Sequence, residues 1–255
     1  MRIARLWFVA ACGALCFAPS AKAAEESAKP AERSPAKLER DNPPQIERDV
    51  RTLEGWQVRF DRRLATSEHA DLGRRAERLL GDKLYEIAQF LPADRSAELR
   101  KVTIVVDLDH GKLTSAQYHP SPQWLEDHGY DRALAKCVHI PSTRLFVGLR
   151  HQRTQPSMVM HELAHAYHDQ VLDFNNAEVR AVYEAARRSG TYDKVLHIHG
   201  HNEVHYAIKN HHEYFAELTE AYFGTNDFYP FVRGELQRHD PQAHALLEKI
   251  WGKLP

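Results

Sequence analysis

The sequence predicts an α+β domain in which a small sheet packs against helices. Three observations carry this expectation. Trp56, Val58 and Phe60 alternate as in a half-buried strand; Leu72, Ala76, Leu79, Leu80, Ile87, Ala88 and Leu91 recur at helical spacing; and the order along the chain is strand, long helix, strand, short strands, then helices.

At the start of the chain, Arg2 and Arg5, the apolar stretch 6–17 and Ala21-Lys22-Ala23 have the layout of a cleavable export signal. Residues 1–23 are therefore expected to be a signal peptide, and the mature chain to begin at Ala24, periplasmic or secreted. Val9-Ala10-Ala11-Cys12 offers a rival lipoprotein cleavage box, with a shorter apolar run before it. Residues 24–50 contain Pro30, Pro35, Pro43 and Pro44, many charges and no aromatic side chain, a composition that buries too little surface to order itself. They are read as a disordered tether, leaving residues 51–255 as the domain.

Within the domain, the strand at Trp56 is followed by the amphipathic helix that ends at Pro92, since proline cannot continue it. Residues 102–108 read as a second strand, and residues 136–140 and 145–149 as further strand material. Thr154, Pro156 and Ser157 begin the next helix. Asn175 and Glu178 have the spacing of a capping box for a helix with Val179, Val182, Tyr183 and Ala186 buried, stopped by Gly190. A last amphipathic helix carries Phe215, Leu218 and Tyr222 on one stripe before Gly224.

Composition excludes several roles. Removing residues 1–23 leaves 31 Lys and Arg against 35 Asp and Glu, a net charge of −4 with mixed signs, which argues against nucleic acid as a partner. Only Cys137 then remains, so no internal disulfide is available and stability must come from a packed core. Beyond the leader no apolar run is long enough to span a bilayer, so no transmembrane segment is expected in the mature chain.

The chemistry is concentrated at His161-Glu162-Leu163-Ala164-His165, the pattern H-E-x-x-H. On a helix, residues four apart project from one face, so His161 and His165 can reach one ion while Glu162 points beside it. Two imidazoles suit zinc, and a catalytic site needs a third protein ligand and an open position for water. Zinc lowers the pKa of its water toward neutrality, and a carboxylate such as Glu162 can take the proton as the water attacks a carbonyl. The extended metzincin pattern would need glycine at position 168 and histidine at 171, where this chain has His168 and Val171. The third ligand is sought instead downstream, where Glu213 and Glu217 share a helical face. The first carboxylate of such a pair can ligate the ion and the second can hold the Nδ1–H of a ligand histidine.

Glu213-Tyr214-Phe215-Ala216-Glu217, beginning 48 residues after His165, together with H-E-x-x-H resembles the gluzincin metallopeptidases, most closely the anthrax lethal factor catalytic-domain-like family. That resemblance implies a zincin-like fold and one catalytic Zn2+ bound by His161, His165 and Glu213. It implies Glu162 as general base, Glu217 as the carboxylate behind a ligand histidine, and Tyr206 as a phenol that stabilises the transition state or protonates the leaving group. It also implies an edge strand beside the metal helix that holds an extended peptide or protein substrate, for which residues 143–149 are the candidate.

The expected function is thus an exported zinc peptidase. Two alternatives stand beside it: a non-catalytic exported zinc-binding protein, and a zinc-dependent hydrolase of another amide such as a cell-wall crosslink. Glu162 separates catalysis from storage, because a storage site needs no unligated carboxylate beside the ion. The His-rich loop of residues 197–205 reads as a solvated approach to Tyr206; alternatively His197, His199 and His201 form a second metal site, or the loop rims the cleft and selects acidic substrates.

Overall fold

A computed structural model describes residues 45–254 apart from Lys112; the expected signal peptide, the Cys12 alternative and the tether as far as residue 44 lie outside the described residues. Strands Arg48–Leu53 (β1) and Trp56–Asp61 (β2) form a hairpin closed by Glu54 and Gly55, at φ 50° and 88°. Two consecutive left-handed residues give the turn whose twist matches that of paired strands. β1 takes in Arg48, Asp49 and Val50, which composition assigned to the tether. Helix Ala70–Phe90 (α1) follows and buries Ala76, Leu80, Leu84 and Ile87 along one stripe; Ala93–Leu99 (α2) resumes after Pro92.

Then come Thr103–Val106 (β3), Gln117–Tyr118 (β4), Pro122–Asp127 (α3) and Cys137–Ile140 (β5). The five strands form one sheet in the order β1-β2-β3-β5-β4. β2, β3 and β5 run parallel, with Val58 beside Ile104 and Ile104 beside Val138, all three fully buried, while β1 and β4 are antiparallel edges.

Residues 143–149 are not the expected edge strand. They enter two short helices, Thr143–Phe146 (α4) and Leu149–Thr154 (α5). The apolar run looked like strand, but Thr143 donates both its N–H and its hydroxyl to the Asp107 carbonyl (3.0 and 2.8 Å), and Ser142 Oγ accepts the Leu145 N–H (3.4 Å). These bonds turn the chain away from the sheet, and the edge position falls to β4.

The second half is helical: Met158–Tyr167 (α6), continued by a wide π turn at His168–Leu172, then Ala177–Ser189 (α7). The cap of α7 is Asn176 and not Asn175, its side chain accepting the N–H groups of Glu178 and Val179 at 3.1 Å each. Gly190, at φ 69°, ends α7 as expected. A small hairpin of Val195–Leu196 (β6) and Asn202–Glu203 (β7) precedes a 3-10 turn at Tyr206–Lys209, and His211–Phe223 (α8), Arg233–His239 (α9) and Pro241–Trp251 (α10) complete the chain.

α6 packs between α8 and the β4–β5 end of the sheet. α8 is buried on most of its circumference, from Tyr214 to Tyr222, as befits a central helix. Its polar groups are met internally: Thr219 Oγ accepts the Trp251 indole N–H at 3.0 Å, and Asp240 accepts the phenols of Tyr214 and Tyr192 at 2.6 and 3.1 Å. Where α6 begins and α8 ends, Ser157 Oγ donates to the Thr225 carbonyl (2.9 Å) and accepts the Thr225 N–H (3.2 Å). Gly224 permits this strut, for a Cβ there would lie 2.8 Å from Ser157 Oγ. Among the described residues no helix is long and apolar enough to cross a membrane.

Candidate metal centre

Leu163 and Ala164 are fully buried in the core, which turns His161 and His165 on the opposite stripe of α6 toward α8. Asn210 caps α8 by accepting the N–H groups of His212 and Glu213 at 2.9 Å each, and so sets Glu213 in its first turn. Three donor atoms converge. His161 Nε2 lies 3.1 Å from His165 Nε2 and 3.4 Å from Glu213 Oε2, and His165 Nε2 lies 3.2 Å from the same oxygen. An ion with bonds of about 2.0–2.1 Å to a tetrahedral set holds its ligands about 3.3 Å apart. The triangle therefore has the size such an ion requires, and these residues could hold a metal.

Behind the triangle, His161 Nδ1 stands 2.7 Å from Glu220 Oε1. With the proton on Nδ1 donated to Glu220, the Nε2 lone pair faces the centre. The sequence pointed to Glu217 for this position. Its nearest oxygen is 3.6 Å from His161 Nδ1, and its carboxyl is instead held by Asn226 Nδ2 at 3.1 Å, the same amide donating to the Glu217 carbonyl at 2.6 Å. Glu220, not singled out from sequence, is buried. Helical spacing could have found it: positions 213, 217 and 220 form one stripe.

Glu162 is also buried, and its Oε2 accepts the Tyr118 N–H of β4 at 2.7 Å. β4 is in turn pinned to the π turn, because the Tyr118 phenol donates to Asp169 Oδ2 (2.5 Å) and accepts from Gln170 (3.0 Å), while Lys136 also pairs with Asp169. One carboxylate oxygen of Glu162 is thus fixed by main chain, and Glu162 lines the same cleft as the histidines.

That cleft encloses about 640 Å³, and Glu162, Glu213, Glu217, Glu220 and Asp227 all line it. Two like charges 4 Å apart repel by about 4 kcal/mol at an effective dielectric constant of 20, so such a lining favours a cation. The protonation preferences follow. Burial pushes Glu217 and Glu220 above the usual carboxylate range, and the Glu220 charge adds to the rise at Glu217. Burial opposes ionisation of Glu213 too, but hydrogen bonds from His161 and His165 outweigh it and hold Glu213 well below that range. For His161, burial would lower the imidazolium, yet Glu213 and Glu220 raise it.

Tyr206, in the 3-10 turn before α8, stands at the mouth of the cleft, 42 % exposed. Its phenol oxygen accepts from Lys209 Nζ at 2.5 Å and lies 3.4 Å from Glu213 Oε1. His161, Glu162, His165, Tyr206, Glu213 and Glu217 are thereby all brought to one cleft. Lys209, which shares it, was not singled out from sequence.

A separate buried cluster joins Asp107, His110 and His139. Here the cation is already supplied, since Arg48 grips Asp107 through two bonds of 2.7 and 2.8 Å and His139 Nε2 adds a third at 2.8 Å. Against the opposing effect of burial, Arg48 and His139 hold the Asp107 carboxyl down to about 2. The cluster ties β1 to the ends of β3 and β5. No known protein family, curated protein or solved structure matches this chain.

Proposed function

We propose that this chain is an exported zinc-dependent peptidase of the gluzincin type, built on a zincin-like domain and related in its site to the lethal factor catalytic domains. The observation that carries the reading is the triangle of His161 Nε2, His165 Nε2 and Glu213 Oε2, with edges of 3.1–3.4 Å, beside an unligated Glu162. His161, His165 and Glu213 would hold the ion, and Glu220 would orient His161. When bound, zinc would acidify a water and polarise the scissile carbonyl.

The chain's own groups supply the rest. Tyr118 N–H holds Oε2 of Glu162, leaving Oε1 to take the proton of the attacking water and pass it to the leaving amine. Tyr206, with Lys209 on its phenol oxygen, offers a donor at the cleft mouth for the oxygen on which negative charge develops. β4, the edge strand that lines the cleft, takes the role expected of residues 143–149 and lies where an extended peptide can run beside the sheet.

Turnover of a mixed peptide library by the purified mature chain, with zinc measured on the same sample, tests this reading. Cleavage abolished by chelation and restored by zinc is expected; a zinc-loaded chain that cleaves no peptide would refute it. Export is tested by sequencing the N-terminus of the protein recovered outside the cytoplasm: Ala24 is expected, and a lipid on Cys12 or a retained leader contradicts it.

A further inference from the structure

We infer that the β6–β7 hairpin at the rim of the cleft carries a second metal site, for a borderline divalent transition ion such as zinc, with His197, His201 and Glu203 as its ligands. The site uses none of the residues assigned to the first and does not rest on the peptidase reading.

The register makes it. Val195 pairs with Glu203 and Leu196 with Asn202, and the His197 N–H continues the ladder by donating to the His201 carbonyl at 2.8 Å. His197 and His201 are therefore cross-strand neighbours, while His201 and Glu203, two apart on one strand, share a face. The chain reverses between them at Gly200, whose φ of 86° suits glycine. Three donors result on one side of the hairpin: His201 Nε2 is 3.0 Å from Glu203 Oε1, and His197 Nδ1 is 3.8 Å from the same atom. These two separations, both to Glu203, bracket the spacing of about 3.3 Å in a tetrahedral zinc set, and one donor atom from each of the three residues lies within 4.8 Å of the other two. His197 Nδ1 now accepts the His199 N–H at 3.2 Å, a long bond that an ion would replace.

Alternation along an extended chain pointed to His197, His199 and His201; because the chain turns at residues 198–200, Glu203 takes the third place and His199 stays near the His197 ring, at 4.7 Å. The scaffold is fixed before any ion arrives. Ile198 N–H donates to the Asp227 carbonyl (2.7 Å), Tyr229 N–H to the Leu196 carbonyl (2.8 Å), and the His197 ring meets Phe228 edge-on at 4.6 Å. Two imidazoles and one carboxylate on a braced hairpin are a zinc donor set. The His201 and Glu203 side chains are 57 % and 45 % exposed, so the remaining positions open to solvent and binding is weaker than in the cleft.

Equilibrium dialysis of the full mature chain against zinc chloride, with metal and protein quantified, tests the site. The intact chain should bind two ions. His201→Ala with Glu203→Ala should lose the weaker one, or at least tenfold of its affinity, and His161→Ala with His165→Ala should keep it. Circular dichroism and the milder His201→Asn, which removes one exposed ligand, guard against a folding artefact. A chain that binds one ion, lost with His161 and His165, overturns the hairpin site, as does a hairpin variant that retains both. A single ion lost only in the hairpin variant supports this site and counts against the first.

Discussion

Glu220→Gln and Glu217→Gln are expected to behave differently although both replace a buried carboxyl on the same face of α8. Glu220 Oε1 is 2.7 Å from His161 Nδ1, whereas the nearest Glu217 oxygen is 3.6 Å away and its carboxyl is occupied by Asn226. The amide keeps the size of Glu220 but turns a charge-assisted bond into a neutral one, and losing such an outer partner lowers metal affinity about 10–100-fold. At about 1.4 kcal/mol per tenfold, that is roughly 1.4–2.8 kcal/mol of zinc binding. Burial and the Glu220 charge raise the Glu217 carboxyl, so it is the more readily protonated of the pair and its amide mimics the neutral form; affinity should change by less than about threefold. Glu220→Gln removes a buried charge and Glu217→Gln replaces a carboxyl that burial already drives toward its neutral form, so neither variant should unfold. Competition with a zinc chelator near pH 7.5 measures all three proteins. Glu217→Gln weakening zinc as much as Glu220→Gln would refute the assignment of Glu220 as the orienting group.

Gly224→Ala should destabilise the fold by about 1–3 kcal/mol, because its Cβ meets Ser157 Oγ at 2.8 Å, and Ser157→Ala in the same background should restore part of the loss; additive urea-denaturation results would contradict the strut. His119, His168 and His205 are buried, and burial pulls each down to about 3 from the ordinary 6.5. Below pH 6.5 the unfolded chain therefore takes up protons that the folded one refuses, and stability falls with pH until about 3. Three such groups remove up to about 4 kcal/mol by pH 5.5, to be read from denaturation curves at pH 7.5 and 5.5; an unchanged midpoint would contradict it. Tyr206→Phe should leave zinc in place and lower kcat by about 10²-fold with little change in KM, and loss of zinc instead would make Tyr206 a support of Glu213.

Much of this was legible in the chain because short-range spacing carries it. The 161–165 interval puts two imidazoles on one helical face, and the stripe with Phe215, Leu218 and Tyr222 marks α8, so the helices holding the site follow from periodicity. Which carboxylate meets which imidazole does not, since Glu217 and Glu220 lie on the same stripe and differ only in how α8 crosses α6, which tertiary packing sets. β4 is two residues long, too short for an alternating pattern, and it becomes an edge only through pairing with β5. Residues 143–149 mislead for the converse reason: an apolar run is compatible with strand or helix, and the Asp107 carbonyl decides it. In the His-rich loop, alternation along an extended chain grouped His197, His199 and His201; it does put Glu203 on the face of His201, but only the reversal at Gly200 brings His197 opposite His201 and moves His199 out of the set.

The catalytic reading depends most directly on Glu162. Glu162→Gln preserves size and can still accept the Tyr118 N–H through its amide oxygen, so the helix, β4 and the three ligands should be undisturbed. Peptide-library turnover and zinc content measured on the same preparations should show zinc retained and hydrolysis reduced by roughly 10²–10⁴-fold, the worth of a positioned general base. A variant that keeps its zinc and cleaves as fast as the parent would contradict the peptidase assignment.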